Sequence, residues 1–455
     1  VVSGTGAGWP PGDLLSLADG ILARARRAGA DEAEVLLVAT RSALTRFANS
    51  EIHQNVAEED LLVNLRVVVG RRTGVASTNR AASADLDRLA ETATAIARQA
   101  AESPEPVSLP DPAPVEPVPG AYARATAEAT PTFRATAVAE VVAAAEAAGV
   151  EAAGSFATDV ETIAVANTRG VEAVQERTTA QLLTVMAGPD GGSGYAEACA
   201  VDATTIDPRA LGEEAAARAR RSARPIALEP GDYPVVLEPY AVVDILDMLA
   251  FLGLSALAVQ EGRSFFAPGR RVGSPLVTIV DDGRDPAGLP LAFDYEGVPK
   301  ERVVLIEGGL CRAVVHDART AAREGRRSTG HALPAPNPWG PLPMNLFMEP
   351  GDADREGLLR GLRRGLLVTR FHYTNPVHPK RVIVTGMTRD GTFLVEDGEV
   401  VGPVRNLRYT QNYLDALAAV EAVGRERRVL RGFLGAAVVP AVRIGAWTFT
   451  GATES

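Results

Sequence analysis

The chain has 455 residues, 46% hydrophobic and 23% charged, enough apolar material for two cores because single domains stop growing near ~250 residues. A net charge of -11 argues against a surface built to neutralise phosphates, so no nucleic acid is expected as a direct partner. The only thiols, Cys199 and Cys311, lie far apart and outside any CxxC pair, which gives no disulfide framework or thiolate zinc site and fits a reducing cytoplasm.

The stretch Val1 to Pro11 is Gly-rich and lacks the regions of a signal peptide, so a flexible lead-in is expected there. Leu14, Leu17, Ala18, Ile21, Leu22 and Ala25 then recur at helical spacing over 12–28, with Asp13 as the candidate N-cap. Three strand-like runs follow, AEVLLVAT, LTRFANSEIHQNVAEEDL and LLVNLRVVVG, and an Ala-rich helix over 83–101. Seven prolines between Ser103 and Ala121 favour an extended linker or surface excursion.

Beyond this linker the pattern recurs: a helix over 134–148, strand-like EAAGSFATDV, ETIAVANTRGVEAVQE, TTAQLLTVMA and GYAEACAVD, and a helix over 208–221. The weak internal repeat is anchored on RFANSEI against AVANTRG, which puts Asn49 and Asn167 in equivalent turns. From Tyr233 the character changes. A long helix over 240–260 precedes many short strands, with hairpin signals at Gly308-Gly309 and Asp397-Gly398, a helix over 413–426 and the final runs VVPAVRI and AWTFTG. The most apolar window, 241–259, carries Asp244 and Asp247 and reads as a buried helix, so no membrane is expected as a partner. The expected fold is α+β. An N-terminal domain of helix-flanked antiparallel sheets covers 1–225, and a C-terminal domain of curled, mostly antiparallel, barrel-like sheet with a few helices covers 226–455.

A zinc peptidase needs clustered neutral imidazoles and a carboxylate for the metal-bound water. The five histidines are followed by Gln, Asp, Ala, Tyr and Pro, so HExxH and HExxxH are both absent. His372 and His378 are the closest pair, but Pro376 between them keeps both rings off one regular helical turn. No GxSxG elbow occurs, and GPDGGSG lacks the Lys-Ser/Thr of a phosphate-binding loop. His331, after Ser328, Thr329 and Gly330, reads equally as a peptide-contacting loop or a structural turn. Asp281 and Asp282, after the apolar LVTIV, read as solvated surface or as a strand end lining a cleft. Of the 46 basic residues only Lys300 and Lys380 are lysine, so lysine chemistry has just those candidates.

The segment LLVTRFHYTNPVHPKRVIVTGMTRDGTFLVEDGEVVGPVRNLRYTQNYLDAL, with TRFANSEIHQNV and YEGVPKERVVLIEGGL, resembles the TldD/PmbA family over nearly the whole chain. The family's catalytic members carry HExxxH after the strand matching PVVLEP. Here the matching LSALAVQEGRSFFAPGRR contains no histidine, Glu261 is an isolated acid, and no cysteine follows Cys311. The resemblance therefore implies the TldE/PmbA-like branch: a non-catalytic subunit without catalytic or metal-binding residues of its own. Its implied partner is a TldD-like HExxxH chain holding the zinc, and the pair would enclose a chamber for extended peptides. Ser264, Ser328, Thr329, Gly330, His331, His372, Tyr373, Thr374 and Asn375 are the expected peptide-contacting residues. A stand-alone metal-independent hydrolase or transferase using some of these side chains stays open. So does a protein-binding regulatory module, in keeping with the family's description as modulators of DNA gyrase.

Overall fold

The structure is a computed structural model that describes residues 9–105 and 107–452; most of the expected lead-in (Val1 to Gly8), Pro106 and the last three residues lie outside them. The first half contains α1 (Pro11–Ala28), β1 (Glu32–Ala48), β2 (Glu51–Val69), β3 (Arg72–Thr78) and α2 (Ser83–Gln99). It continues through α3 (Arg124–Ala127), α4 (Pro131–Ala148), β4 (Glu151–Asn167), β5 (Glu172–Ala187), β6 (Ser193–Ala200) and α5 (Pro208–Arg221). The strands form one antiparallel sheet in the order β3-β2-β1-β4-β5-β6. The succession helix, three strands, helix thus occurs twice and meets at the β1/β4 seam, and the Asn49 and Asn167 turns occupy corresponding hairpins.

Each half buries its own helical stripes. Leu14, Ala18, Ile21 and Leu22 of α1 and Leu86, Leu89 and Ala93 of α2 pack on Val35, Leu37, Val63 and Leu65, while α4 and α5 cover Phe156, Leu182 and Met186. Helix α1 starts with Pro11 in its first turn and stops at Gly29, whose φ of 97° is the left-handed exit that a side chain resists. The N-cap position falls to Pro10 rather than Asp13, which lies in the first turn and complements the helix dipole there.

The strands are longer than the alternation suggests. LTRFANSEIHQNVAEEDL does not form one strand but straddles the β1/β2 hairpin, whose turn is Asn49-Ser50 at φ 51° and 60°. ETIAVANTRGVEAVQE likewise straddles the β4/β5 turn, and β3 follows Gly70 where no strand was expected. Polar residues such as Arg41, Ser42 and Glu161 lie inside these ladders, because pairing continues beyond the part of the strand that the core covers.

The second half contains β7 (Gly231–Leu237), α6 (Pro239–Gly253), α7 (Ala256–Gln260), β8 (Ile279–Asp281), β9 (Val303–Glu307), β10 (Leu310–Cys311), α8 (Ala318–Arg323), β11 (Asn345–Met348) and α9 (Arg355–Arg360). There follow β12 (Arg364–His378), β13 (Ile383–Glu396), β14 (Glu399–Pro403), β15 (Leu407–Asn412), α10 (Tyr413–Ala418), β16 (Val420–Arg431) and β17 (Ala436–Ala452). Strand β7 pairs with β12 on one side and β17 on the other, which closes β7, β12, β13, β15 and β17 into a ring. Pairing in this sheet is antiparallel except at β7/β12 and β11/β17. The fold is therefore α+β, with a curled second sheet. Helix α6 packs on it through Ile245, Leu246 and Leu249, close to the aromatic group of Phe371, Tyr409, Tyr413 and Trp447.

Two helices are shorter than expected. The 240–260 run breaks at Leu254-Ser255 into α6 and α7, and the 413–426 run stops at Ala418, where Val420 enters β16 and pairs with β17. Partner strands override local helical spacing there, and VVPAVRI and AWTFTG merge into the single strand β17. The hairpins at Gly308-Gly309 (φ 53° and 75°) and Asp397-Gly398 (φ 47° and 83°) form where the sequence signals them. The two halves share a small core in which Leu36, Ile163 and Val165 meet Leu291, Ala292 and Phe293, with Val118 of the proline-rich stretch.

Candidate functional site

The STGH segment folds as a buried latch. Gly330 has φ 73°, and a Cβ there would lie 2.3 Å from the Pro299 carbonyl oxygen, so only glycine lets the loop sit against Lys300. Ser328 Oγ donates to the His316 carbonyl (3.1 Å) and accepts the Gly330 N–H. Thr329 Oγ1 accepts the His316 N–H (2.8 Å) and lies 3.0 Å from His331 Nδ1. His331 itself is 1% exposed, and its Nε2 lies 2.7 Å from Asp281 Oδ1 at the end of β8. Asp281 Oδ2 accepts the Asn345 N–H at 2.8 Å.

Electrostatics fix the protonation of this pair. Burial works to raise Asp281, but His331 and Lys300 beside it hold it below its ordinary range. Burial and Lys300 together push His331 down, outweighing the pull of Asp281. The result is a carboxylate accepting from a neutral imidazole protonated on Nε2, with Nδ1 free to accept from Thr329. In the resulting order Asp281, His331, Thr329, the hydroxyl is the third member, and it is also bonded to the His316 backbone. That arrangement holds a loop; it does not expose a nucleophile.

The FHYTN segment is the opposite case. It ends the described course of β12 in an irregular ladder with β13, with register shifts between His372 and Asn375 and between Pro376 and His378. Tyr373 is 74% exposed at φ 56°, Val377 is also exposed, and Asn375 Nδ2 donates to the Tyr373 carbonyl (2.9 Å). Phe371 is buried in the aromatic group, and Thr374 Oγ1 turns inward as well, 3.3 Å from the Tyr409 hydroxyl and toward Asp244, which burial and Asp247 push up to about 7. His372 lies at the surface, lowered by burial and by Arg389 and Arg370. Ser264 belongs to neither group. Its hydroxyl donates to the Gly253 carbonyl (2.6 Å) and accepts the Phe266 N–H (2.8 Å), which ties off the α7 exit.

A cavity of about 310 Å³ adjoins the latch, lined by Lys300, His331 and Asn345 on one side and by Glu161, Arg177 and Phe433 among others on the rest. The strand-end reading of Asp281 fits this place, since its partners His331, Lys300 and Asn345 all line the cavity, while Asp282 stays half-buried. Sequence reasoning singled out Lys300 only as one of two lysines in an arginine-rich chain, without a place for it, and missed Asn345. A larger groove of about 520 Å³ lies between α5 and the second sheet, with Arg218 bridging Glu214 and Glu238 in its wall.

The chain matches the family models for the PmbA/TldA metallopeptidase domain 1 over residues 33–97, the central domain over 121–223 and the C-terminal domain over 230–451. It is 28% identical to a metalloprotease of Methanothermobacter thermautotrophicus over 187 residues, 41% of this chain and 40% of that one. It is also 28% identical to a Methanocaldococcus jannaschii metalloprotease over 230 residues, 50% of each chain. The chain thus spans half or less of the length of these curated relatives. Its fold superposes on TldE of Thermococcus kodakarensis with a TM-score of 0.87 at 21% identity, covering 96% of this chain and all of that one. It superposes with a TM-score of 0.83 at 21% identity on a Thermotoga maritima protein described as a candidate modulator of DNA gyrase, with 96% of this chain and 100% of that one covered.

These family descriptions imply a metal, and the side chains here do not fit one. Among the described residues no three of His, Cys, Asp and Glu converge as a ligand set. In the stretch around α7, Glu261 pairs with Arg263 at 2.6 Å on the surface, and the stretch contains no histidine.

Proposed function

This chain belongs to the PmbA/TldD metallopeptidase family, and from that premise we propose that it is a TldE-like, non-catalytic subunit working with a TldD-like partner that carries HExxxH and the zinc. The observation that carries the reading is the missing donor set: a family named for a metal reaction, and a chain in which no three of His, Cys, Asp and Glu converge among the described residues and whose buried His331 is engaged with Asp281 and Thr329. Water activation at zinc needs open coordination and a nearby base. Neither can be assembled from these residues, so the partner supplies both.

The role left to this chain is to hold an extended peptide. Strand β2 offers the means. Glu51 to Asp60 pair with β1 on one side, while β3 begins its pairing only at Val63, so the other edge of this stretch carries no strand among the described residues. A peptide adding there bonds through its main chain and is accepted with broad sequence tolerance. Glu51, Glu58, Glu59 and Asp60 along this edge favour a peptide without acidic runs. The reaction of the complex is cleavage of such peptides, as in leader removal or maturation of a peptide-derived product, in the cytoplasm.

Co-expression with an HExxxH-bearing family member tests the reading. The two chains should co-purify with one zinc per pair and cleave unfolded peptides, while this chain alone neither retains zinc nor cleaves. Stoichiometric zinc and full turnover in the isolated chain would sink it.

A further inference from the structure

The cavity beside the latch contains a charged group that the subunit role leaves unused. Lys300 is 5% exposed and lines the cavity, yet it donates no hydrogen bond to another described residue. Its ion pair with Asp281 spans 4.0 Å, beyond hydrogen-bond length, and Asp281 is already bonded to His331 and to the Asn345 N–H. An ammonium carries three donors and a buried one needs acceptors. Asn345 shows the reverse deficit: its Nδ2 donates to the Leu289 carbonyl at 3.2 Å, while its Oδ1 has no partner. The two meet at Gly283, where a Cβ would lie 2.2 Å from Lys300 Cδ and 3.1 Å from Asn345 Oδ1. Glycine at 283 makes room for the lysine stem, and the left-handed Gly330 packs the latch against the Lys300 backbone.

We propose that this cavity binds an α-carboxylate, the shared chemistry of a free amino acid and of a peptide C-terminus. Lys300 takes the carboxylate, with Asn345 beside it in the cavity wall. A compact ammonium suits this place better than the forked guanidinium used almost everywhere else in the chain, because it leaves the cavity open above it. Arg177 and Arg431 stand across the cavity but are paired with Glu161 and Asp159, which leaves Lys300 as the cation facing the carboxylate. The neutral His331 imidazole adds no charge. Phe433, 71% exposed at the same wall, and Leu342 offer apolar surface to a side chain. The assignment stands on the cavity alone and goes beyond the subunit reading.

Calorimetric titration of the isolated, full-length chain decides it, with N-acetyl-leucine, N-acetyl-leucinamide, free leucine, and the tripeptide Ala-Ala-Leu with a free or amidated C-terminus as probes. At least one carboxylate-bearing probe should bind, its amide about tenfold or more weaker, the size expected for losing one charge-assisted hydrogen bond. Tighter binding of leucine assigns the site to free amino acids, and tighter binding of Ala-Ala-Leu assigns it to peptide termini. Lys300→Met should erase the carboxylate preference while keeping the native circular dichroism spectrum. If that variant does not fold, the carboxylate-to-amide ratio of the unaltered protein still decides. Equal affinity for acid and amide, or no binding by any probe, overturns the assignment. None of these outcomes bears on zinc or on the partner, so a failure here is distinct from a failure of the subunit reading.

Discussion

Two polar segments of similar composition have opposite fates in this molecule. In the STGH latch every side chain that can bond does so, and His331 is sealed between Asp281 and Thr329. In the FHYTN arm the backbone departs from its ladder beyond the buried Phe371, Tyr373 projects into solvent, and Thr374 is the one polar side chain that turns inward. Hydrogen-bonding capacity is alike in both segments; what differs is whether it is spent inside the protein or remains available to a ligand. A buried and satisfied group rigidifies the fold, whereas an exposed one serves recognition.

The largest expected effect comes from breaking the latch at its charge. His331→Ala strands the Asp281 carboxylate with Lys300 at 4.0 Å and removes the only imidazole against it, and should destabilise the protein by about 3–5 kcal/mol in urea unfolding. A loss below ~1 kcal/mol would mean that the latch is not what fixes this loop. Next comes Gly330→Ala. The φ of 73° alone costs on the order of 1–3 kcal/mol for a residue with a Cβ, and the contact with the Pro299 carbonyl adds to it. The same change at Gly262, at φ 68° with open space around it, isolates the backbone cost and is the control.

A smaller effect should appear with pH around the wall of the latch. Asp294 accepts the Ala332 N–H beside His331, yet burial and Glu296 push it up to about 8, and burial pushes Glu34 up to about 7. Both folded-state values exceed the ordinary carboxylate range, so between about pH 5 and 8 the folded chain binds protons that the unfolded chain has released. Stability is then greatest at the low end of that window and declines as pH rises through 7 to 8. Asp281 works in the opposite sense but titrates below the window, and His331, His316 and His372, all lowered, oppose the decline only at its acid end, below about pH 6.5, where the unfolded imidazoles charge. Urea midpoints at pH 6.5 and 8 check this, and Glu34→Gln should flatten the slope; a rising midpoint would contradict the assignment.

The difference between the two segments was only partly legible in the sequence. Helices α1, α2 and α5 were, because each keeps a 3.6-residue apolar stripe, and α4 was legible from its alanine-rich run rather than from a stripe. The hairpins at Gly308-Gly309 and Asp397-Gly398 were legible from turn chemistry. The extents of β1, β2 and β4 were not, since no Gly or Pro marks where core-facing alternation gives way to exposed ladder. The latch itself was invisible for a different reason: Asp281, Lys300, His331 and Asn345 come from separate loops and strand ends, and only tertiary packing brings them together. A sequence shows that His331 follows Ser328 and Thr329, but not that its other nitrogen will meet Asp281.

The smallest stability effect, and the one that tests the comparison from its other side, is expected in the arm. Tyr373 holds φ 56° while 74% exposed, so its ring gains little from the protein and its backbone carries a strain that glycine would not. Tyr373→Gly should therefore leave stability unchanged within ~0.5 kcal/mol or raise it slightly, as exposed positions away from packing generally do. If the arm recognises peptide, the same substitution should weaken peptide binding by the complex with its HExxxH partner, since it removes the most exposed aromatic surface of the segment. Loss of stability with unchanged peptide binding would instead make the arm structural, like the latch, and would remove the distinction between them.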